Sequence, residues 1–289
     1  MTVIGIFGPT ASGKSRVAEA VAGRLGGELV SADAMQVYRG LPILTNQSPA
    51  RLVSICPLDT EASVGEYAPL AHAAVDEILA AGRTAVVVGG TGLYFRAALA
   101  DLRLPPAPPP GARERWAEAY DADPAAAYRH LREVDPAAAE AVHANDRRRV
   151  VRALELAEAG ASLRPEEDRL WNEATRHPTL IVGLDPPNEE LDRRIVERTH
   201  AMFDAGVQEE VRAALAGPIS QTARKTLGLD EVATLPREQA IEAIVARTRR
   251  YAAYQRKWMR RIPGLVIVEG ADDVVALART RERVPRRGG

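Results

Sequence analysis

The amino-acid sequence predicts an α/β fold, in which a parallel sheet is flanked by helices and a small α-helical domain is inserted. The first observation is a glycine-rich loop at residues 8–15, which follows an apolar run and precedes a helical pattern. The second is a pair of unbroken apolar runs at residues 84–88 and 179–184, typical of parallel strands buried on both faces. The third is a proline-rich segment at residues 104–110, which marks a domain boundary.

The loop at residues 8–15 reads Gly-Pro-Thr-Ala-Ser-Gly-Lys-Ser, the pattern of a phosphate-binding P-loop. Gly8 and Gly13 permit a tight turn whose N–H groups point inward, and the following helix adds its N-terminal amides. Lys14 reaches the bound phosphate, and the Ser15 hydroxyl is suited to hold Mg²⁺. Lysine is rare among the 38 basic residues, so its use at position 14 fits a need for a compact charge.

The composition limits the class of protein. The chain has 289 residues, 46% of them hydrophobic, which predicts a globular protein with a sizeable core. A formal net charge of −1 excludes a uniformly basic surface, so any nucleic-acid binding depends on local clusters. The single cysteine, Cys56, excludes a disulfide framework and fits a reducing compartment. No apolar run approaches the roughly 18 residues of a membrane span, and we expect a soluble, cytoplasmic protein without membrane contact.

A candidate acidic residue follows the second predicted strand, Glu28–Ser31. The loop after this strand contains Asp33, and the carboxyl ends of strands are where sites form in open α/β sheets. Taken alone, Asp33 is also typical of a helix cap or a turn. Its place beside the P-loop favours a role in the site.

A second polar loop, Gly89–Tyr94, follows the predicted strand at Thr84–Val88. A nucleotide hydrolase usually places a Mg²⁺-binding acid at the end of such a strand. Here the strand ends in glycines and Thr91, which argues against a motor or a GTPase switch. The sequence therefore favours a transferase that uses its P-loop to hold phosphates.

The domain boundaries follow from the proline-rich segment and from the helix signals after it. Asp-Pro pairs at residues 123–124 and 135–136 predict two helix starts, because aspartate caps a helix and proline suits its first position. Another capped helix is predicted from Asn145 to near Gly160. We expect a core formed by residues 1–103 and 145–289, with a helical insert at residues 104–144.

A basic and aromatic stretch spans residues 247–261. It has seven basic residues and no acidic residue, and Tyr251, Tyr254 and Trp258 recur at helical spacing. These aromatic side chains are either core anchors or an RNA-binding face, and the sequence favours the core. The arginines suit the phosphate backbone of a nucleic acid in both cases. The tail beyond Arg279 is predicted to be basic and loose.

Five motifs in a fixed order resemble those of the tRNA dimethylallyltransferases, also called the IPP transferase family. The motifs are Gly-Pro-Thr-Ala-Ser-Gly-Lys-Ser (8–15), Ser-Ala-Asp-Ala-Met-Gln-Val-Tyr-Arg-Gly (31–40), Gly-Gly-Thr-Gly-Leu-Tyr (89–94), Asn-Asp followed after three residues by Val-Val-Arg-Ala-Leu-Glu (145–155), and Gln255 with Trp258. The resemblance spans residues 3–268 and is far more specific than a P-loop alone.

The resemblance implies transfer of a dimethylallyl group from dimethylallyl diphosphate to N6 of adenosine 37, beside the tRNA anticodon. The P-loop then holds the departing diphosphate, with Mg²⁺ on Ser15. Asp33 corresponds to the family's catalytic carboxylate, and Thr91 to its threonine near the reacting centre. The adenine leaves the anticodon-loop stack to reach them. The implied diphosphate-binding residues are Gly8, Thr10, Ala11, Ser12, Gly13, Lys14 and Ser15.

The resemblance also implies how the protein contacts tRNA. The helical insert grips the anticodon stem, and we expect the protein to act as a monomer. The implied tRNA-binding residues are Asp33, Ala34, Met35, Gln36, Thr91, Arg113, Arg148, Arg149, Val150, Val151, Arg152, Lys225, Thr226, Leu227, Gly228 and Gln255.

The chain departs from the family pattern at several places and leaves other functions open. Residues 42–48 lack the usual lysine and glycine, and Ala253–Tyr254 replace a Lys-Arg pair. Three other functions share parts of the pattern: a prenyltransferase for free adenine nucleotides, a nucleoside or small-molecule kinase, and a non-catalytic RNA-binding protein. The helical insert and the arginine clusters favour an RNA substrate, because small nucleotides need no such grip.

Overall fold

The chain divides into two compact units. A computed structural model describes residues 3–102, 104–105, 108–164 and 169–283. The first unit comprises Met1–Asp101 and Glu173–Gly289, and the second comprises Leu102–Asn172. The second unit is therefore an insertion in the sequence of the first.

The first unit contains a parallel five-stranded sheet with the strand order β2-β3-β1-β4-β5. The strands are β1 (Val3–Phe7), β2 (Gly27–Ser31), β3 (Thr84–Gly89), β4 (Thr179–Gly183) and β5 (Val266–Ile267). The central strand β1 pairs with β3 and β4, so that Ile6 lies between Val88 and Val182. Strand β1 is the apolar run that precedes the glycine-rich loop, and β2, β3 and β4 confirm the sequence prediction to within one residue at each end.

Helices connect the strands and form the second unit. In chain order they are α1 (Lys14–Leu25), α2 (Val64–Ala80), α3 (Gly92–Leu99), α4 (Ala112–Ala122), α5 (Pro124–Val134), α6 (Pro136–Ala141), α7 (Arg147–Glu158), α8 (Asn188–Asp204), α9 (Val207–Leu215), α10 (Leu229–Thr234), α11 (Arg237–Met259) and α12 (Ala271–Arg283). Helices α4 to α7 belong to the second unit. Among the residues described, no helix has the length and apolar character needed to cross a membrane.

The sheet is buried on both faces, as its unbroken apolar runs predict. Val3 and Phe7 pack on one face in a cluster that includes residues of α2 and α3. Ile4 and Ile6 pack on the other face with residues of α1 and α12. A further cluster joins α8, α9, α10 and α11, and Ala11 of the P-loop packs against it. This last contact places the P-loop beside a helical layer at the edge of the sheet.

The second unit is longer than the insert that the sequence predicts. Its core contains Tyr120 of α4 and Leu131 of α5 together with Val150 and Leu154 of α7. The apolar stripe of α7 therefore contributes to this unit. As a result the unit ends at Asn172, and not at residue 144 where the sequence analysis placed the boundary.

The two helix starts predicted from Asp-Pro pairs are confirmed. Asp123 accepts a hydrogen bond from the backbone N–H of Ala126 at the start of α5. Asp135 does the same for Ala138 at the start of α6. Each proline occupies the first turn, where a missing N–H group has no cost.

Two predicted irregular segments lie partly outside the described residues. Helix α12 continues to Arg283, past the Arg279 after which the sequence predicts a loose tail. Its buried residues Val274, Val275 and Ala278 pack in the same cluster as Ile4 and Ile6 of β1. The rest of that tail, residues 284–289, and residues 106–107 of the proline-rich segment lie outside the described part of the chain.

Gly89 ends β3 where no side chain fits, because a Cβ atom there would lie closer than 3.0 Å to the carbonyl oxygen of Ala32. We expect Gly89→Ala to lower the free energy of unfolding by at least about 2 kcal/mol, since backbone atoms cannot move aside. Gly23→Ala in α1 is the matched control, because a Cβ there meets no atom within 4 Å. We expect Gly23→Ala to raise the free energy of unfolding by about 0.5–1 kcal/mol, because alanine is a better helix former than glycine. Chemical denaturation measures both free energies. The same change in the Gly89→Ala and Gly23→Ala variants would contradict the expected steric clash at Gly89.

Candidate active site

The P-loop forms between β1 and α1, as the sequence predicts. Gly13 has a φ of 88° at the start of α1, and Ala11 has a φ of 62°. The Lys14 ammonium group donates to the carbonyl oxygen of Pro9 over 3.3 Å. The loop thus curls around the N-terminus of α1, where backbone amides and the helix dipole favour an anion.

The buried hydroxyl of Ser12 indicates that this loop accepts a phosphate group. Ser12 is 5% exposed, and its Oγ has no hydrogen-bond partner within the described part of the chain. A Cβ atom added to Gly8 would lie 2.7 Å from this Oγ, so a side chain at position 8 would displace the Ser12 hydroxyl. A buried hydroxyl without a partner is costly, and a phosphate oxygen would satisfy it.

The P-loop forms one wall of a cavity of about 1230 Å³ within the first unit. Asp33 and Gln36, from the loop after β2, line the same cavity. Lys225 and Tyr251 line it from the helical layer. The cavity therefore lies at the carboxyl ends of the strands, where open α/β sheets bind ligands.

Asp33 and Thr91 lie close together at this edge of the sheet. The Thr91 hydroxyl accepts a hydrogen bond from the N–H of Ala34 over 3.3 Å. Asp33 Oδ1 accepts one from the N–H of Met35 over 3.0 Å. Asp33 therefore forms the turn that its residue type suggested and also lines the cavity.

Two cationic groups are held near Asp33 in a desolvated environment. Burial lowers the pKa of Lys14 to about 8, although the Asp33 carboxylate acts to raise it. Burial also lowers the pKa of the Arg198 guanidinium, again against the effect of Asp33. Arg198 donates to Thr10 Oγ1 over 2.7 Å, which holds it against the P-loop. A bound anion stabilises desolvated cations of this kind more than it stabilises cations that are exposed to water.

Helix α8 contributes two arginines that the sequence analysis did not select. Arg194 donates to the Ser12 carbonyl oxygen over 2.9 Å and forms an ion pair with Glu190. Arg198 follows four positions later and therefore shares the same helix face. This spacing was visible in the sequence, but only the tertiary structure places that face beside the P-loop.

Gln255 joins the P-loop to the loop after β3. Its Oε1 accepts from the Thr10 N–H over 2.7 Å, and its Nε2 donates to the Gly90 carbonyl oxygen over 2.9 Å. Burial raises the pKa of Tyr251 to about 12, although hydrogen bonds to Thr91 and Gln255 act to lower it. The structure thus gives Gln255 an internal role, and its contact with tRNA stays a prediction.

An apolar wall lies next to the P-loop in the same cavity. It consists of Leu44, Ile195, Met202 and Ile244, which are buried, belong to one cluster and line the cavity. Ala11 of the P-loop packs against this cluster. The cavity therefore suits a ligand with an anionic head and a short apolar tail.

The implied tRNA-binding residues are divided between the two units. The members in the first unit are Asp33–Gln36, Thr91, Lys225–Gly228 and Gln255, and those in the second are Arg113 and Arg148–Arg152. Lys225, Thr226 and Leu227 line the cavity. Gly228 has a φ of 95° at the start of α10, where it contributes backbone geometry and no side chain.

A buried carboxylate holds two of the implied residues in the second unit. Glu155 is 1% exposed, and it accepts hydrogen bonds from Arg113 Nε and Arg152 Nη1, each over 2.9 Å. Both arginines are partly exposed. The pair is thus held in place while part of each guanidinium stays accessible.

The residues between these arginines have different positions. Arg148 and Arg149 are exposed on α7. Val150 and Val151 are buried in the core of the second unit. Their side chains therefore belong to the apolar stripe of α7, and the contact of these two residues with tRNA stays a prediction.

The oxygen donors of the cavity fit magnesium. The described residues contain no group of three or more His, Cys, Asp or Glu side chains that could hold a metal ion. Mg²⁺ needs few protein ligands, because it keeps several waters and binds substrate phosphates. The Ser15 hydroxyl and the Asp33 carboxylate both line the cavity. This donor set suits Mg²⁺ that is shared with a diphosphate.

The sheet order, the P-loop and the cavity define a P-loop α/β protein that binds a phosphate-bearing ligand next to an apolar wall. The model of the family described as IPP transferase matches residues 36–262 of the chain. The chain belongs to the IPP transferase family.

Relatives and solved structures agree with this membership. The chain is 39% identical to a tRNA dimethylallyltransferase of Salinispora tropica, over 93% of this chain and 89% of that protein. It is 39% identical to one of Anaeromyxobacter dehalogenans, over 98% and 100%. The tRNA isopentenylpyrophosphate transferase of Bacillus halodurans aligns with a TM-score of 0.66 and 28% identity, over 97% and 95%. A eukaryotic dimethylallyltransferase acting on tRNA aligns with a TM-score of 0.77 and 26% identity, over 97% and 77%.

The low pKa of Lys14 predicts a pH-dependent affinity for diphosphate. The side chain is mostly protonated below a pH of about 8 and mostly neutral above it. We expect inorganic pyrophosphate to bind more weakly as the pH rises through this value. Binding near it is expected to take up protons, because the bound anion raises the pKa of Lys14. Isothermal titration calorimetry in buffers of different ionisation enthalpy measures both effects.

Lys14→Met is the matched control, since methionine is a flexible side chain of similar reach without the charge. It is expected to bind pyrophosphate more weakly and to lose the share of proton uptake that Lys14 contributes. Ionisation of pyrophosphate itself is common to both proteins. Identical pH profiles would show that Lys14 does not titrate near the anion.

Proposed function

We propose that this protein transfers a dimethylallyl group from dimethylallyl diphosphate to N6 of adenosine 37 in tRNA and releases diphosphate. One observation carries the proposal: a single cavity contains the P-loop, the Asp33 carboxylate and the apolar wall. The P-loop suits the diphosphate, the wall suits the prenyl group and the carboxylate suits a proton acceptor. The relatives named tRNA dimethylallyltransferase support the same reaction.

The P-loop stabilises the departing diphosphate. As the bond between the allylic carbon and the diphosphate oxygen breaks, negative charge builds on that oxygen. The Lys14 ammonium, the Arg198 guanidinium and the loop amides act on this charge, and the Ser12 hydroxyl donates to a phosphate oxygen. Mg²⁺ on Ser15 and the phosphates would add further electrostatic stabilisation when bound.

Asp33 takes the proton from the attacking amine. The N6 amine of adenine is a weak nucleophile, because its lone pair is delocalised into the ring, and it gains from a base as the C–N bond forms. Asp33 Oδ1 is occupied by the Met35 N–H, which leaves Oδ2 as the proton acceptor. The Thr91 hydroxyl accepts a hydrogen bond from the Ala34 N–H and has a second hydrogen bond with Tyr251. Thr91 therefore orients the reacting groups beside it.

Access to the cavity requires the target adenine to leave the anticodon-loop stack. Unpaired loops expose their base edges to such a protein. We assign contact with the loop to Ala34–Gln36 and Lys225–Gly228. The second unit grips the anticodon stem through the phosphate contacts of Arg113, Arg148 and Arg149. We also propose that the protein acts as a monomer and that it works in the cytoplasm.

The alternatives to this reaction are less well supported. The named activities of the relatives favour tRNA over free adenine nucleotides as the acceptor. The apolar wall favours a prenyl donor over phosphate transfer from ATP. A non-catalytic RNA-binding protein would have no use for Asp33 and Lys14 in one desolvated cavity.

Asp33→Asn tests the reaction and its base together, with Mg²⁺, dimethylallyl diphosphate and an anticodon stem-loop that carries adenosine at position 37. We expect the wild-type protein to add one dimethylallyl group to the RNA, as seen by mass spectrometry. Asparagine can still accept the Met35 N–H but cannot take a proton. The rate should therefore fall by about 10²–10⁴-fold with little change in RNA binding.

Asp59→Asn is the matched control, because Asp59 is exposed and outside the cavity lining. Its rate should equal that of the wild type. Full activity of Asp33→Asn would remove Asp33 as the base. Prenylation of free AMP without prenylation of the RNA would identify the protein as a prenyltransferase for free adenine nucleotides.

Met202→Ala tests whether the apolar wall binds the prenyl group. Met202 is 8% exposed and lines the cavity. Its removal enlarges the apolar end, so the ratio of kcat/KM for geranyl diphosphate to that for dimethylallyl diphosphate should rise about tenfold or more. Met259→Ala is the control, because Met259 is 3% exposed in a cluster on the sheet. A ratio that changes equally in both variants would argue for general loosening.

A further inference from the structure

An exposed tyrosine on α11 has no part in the reaction described above. Tyr254 is 55% exposed, and it is the only aromatic among the large hydrophobic side chains exposed in the described part of the chain. Its neighbours at helical spacing behave differently. Tyr251 lines the cavity, and the Trp258 ring packs on Gly92. The expectation that all three aromatics are core anchors is therefore wrong for Tyr254.

Tyr254 lies beside the mouth of the cavity. Residues three and four positions apart share a helix face, so Tyr254 is one turn beyond Arg250 and Tyr251. Both of these residues line the cavity, and so does Gln255, the next residue in the chain. The pKa of Tyr251, raised chiefly by burial, is raised further by the nearby Tyr254 hydroxyl. The exposed ring thus lies next to three residues of the cavity lining.

Arg250 is exposed beside this ring and has no ion pair with any residue that the structure describes. Other arginines of α11 are neutralised: the pairs are Arg247–Glu231, Arg249–Asp192 and Arg256–Asp185. A cation without a counter-charge can bind a phosphate. An exposed aromatic ring can stack on a base of any type.

We propose that Tyr254 and Arg250 form a subsite for an unpaired nucleotide next to the target adenosine. When the target base leaves the loop stack, its neighbour loses a stacking partner, and the Tyr254 ring replaces it. Arg250 binds the phosphate of the same segment. Basic residues border the ring, with Arg250 and Lys257 at helical spacing, which favours RNA over an apolar protein partner. The inference rests on the proposed function, because it requires an RNA substrate.

The test compares Tyr254→Ala, Tyr254→Phe and Arg250→Ala in the full chain, with a labelled anticodon stem-loop. Tyr254→Ala should raise Kd and KM for the RNA about 5- to 150-fold, the range measured for one stacked base. The kcat and the KM for dimethylallyl diphosphate should stay unchanged. Tyr254→Phe keeps the ring and should behave as the wild type. Leu70→Ala is the control, because Leu70 is 48% exposed on α2, outside the cavity lining.

Two further measurements distinguish the contribution of the Tyr254 ring to RNA binding from that of the Arg250 charge. Arg250→Ala should lower the slope of log Kd against log salt by about 0.7, whereas Tyr254→Ala should leave the slope unchanged. A stem-loop with 2-aminopurine on either side of the target adenosine reports stacking directly. Its fluorescence should be quenched by the wild type and by Tyr254→Phe, and not by Tyr254→Ala.

The outcomes distinguish this subsite from the proposed function. Normal prenylation by the wild type, with unchanged RNA affinity and unchanged quenching in Tyr254→Ala, would overturn the subsite alone. Equal losses in Tyr254→Ala and Tyr254→Phe would assign the effect to the hydroxyl and overturn stacking. A wild-type protein that neither binds nor prenylates the RNA would overturn both proposals.

Discussion

The two hydrogen bonds of Gln255 are the interaction on which the rest of the site depends. They connect the Thr10 N–H of the P-loop, the Gly90 carbonyl after β3 and the helix α11. Because β1 and β3 are neighbours in the sheet, their loops emerge side by side, and Gln255 holds them at one spacing. Without this side chain the partly buried Thr10 N–H and the buried Gly90 carbonyl would lose their partners, which is costly. Gln255 is also a hydrogen-bond partner of Tyr251, and Tyr251 has a second hydrogen bond with Thr91.

Desolvation then determines the chemistry that this frame can support. It lowers the pKa of Lys14, because burial destabilises the charged ammonium group when no anion is bound. A diphosphate relieves that cost, and the interaction is strong because little water competes for the same groups. Asp33 lies near these cations, and in the proposed reaction the same cavity stabilises the leaving anion and receives the proton. In the proposed reaction the apolar wall binds the prenyl group and the P-loop binds the diphosphate.

The sequence predicted the groups that local motifs specify and missed those that depend on packing. Lys14, Ser15 and Asp33 follow strand ends, where a site was expected, and the structure places all three in one cavity. Arg194 and Arg198 were missed, because helical spacing defines a face and does not say what that face contacts. The domain boundary at residue 144 was misplaced for the same reason, since the apolar stripe of α7 packs in the second unit.

By itself the sequence determined four of the five strands, the P-loop and the two capped helix starts. Each depends on local properties: β-branched runs, glycines at a tight turn and aspartate before proline. Only the tertiary structure decided that α8 braces the P-loop, that Gln255 joins two loops and that Tyr254 stays exposed while Tyr251 lines the cavity. These outcomes depend on contacts between residues far apart in the chain, and burial on one side of a helix is set by the neighbour that covers it.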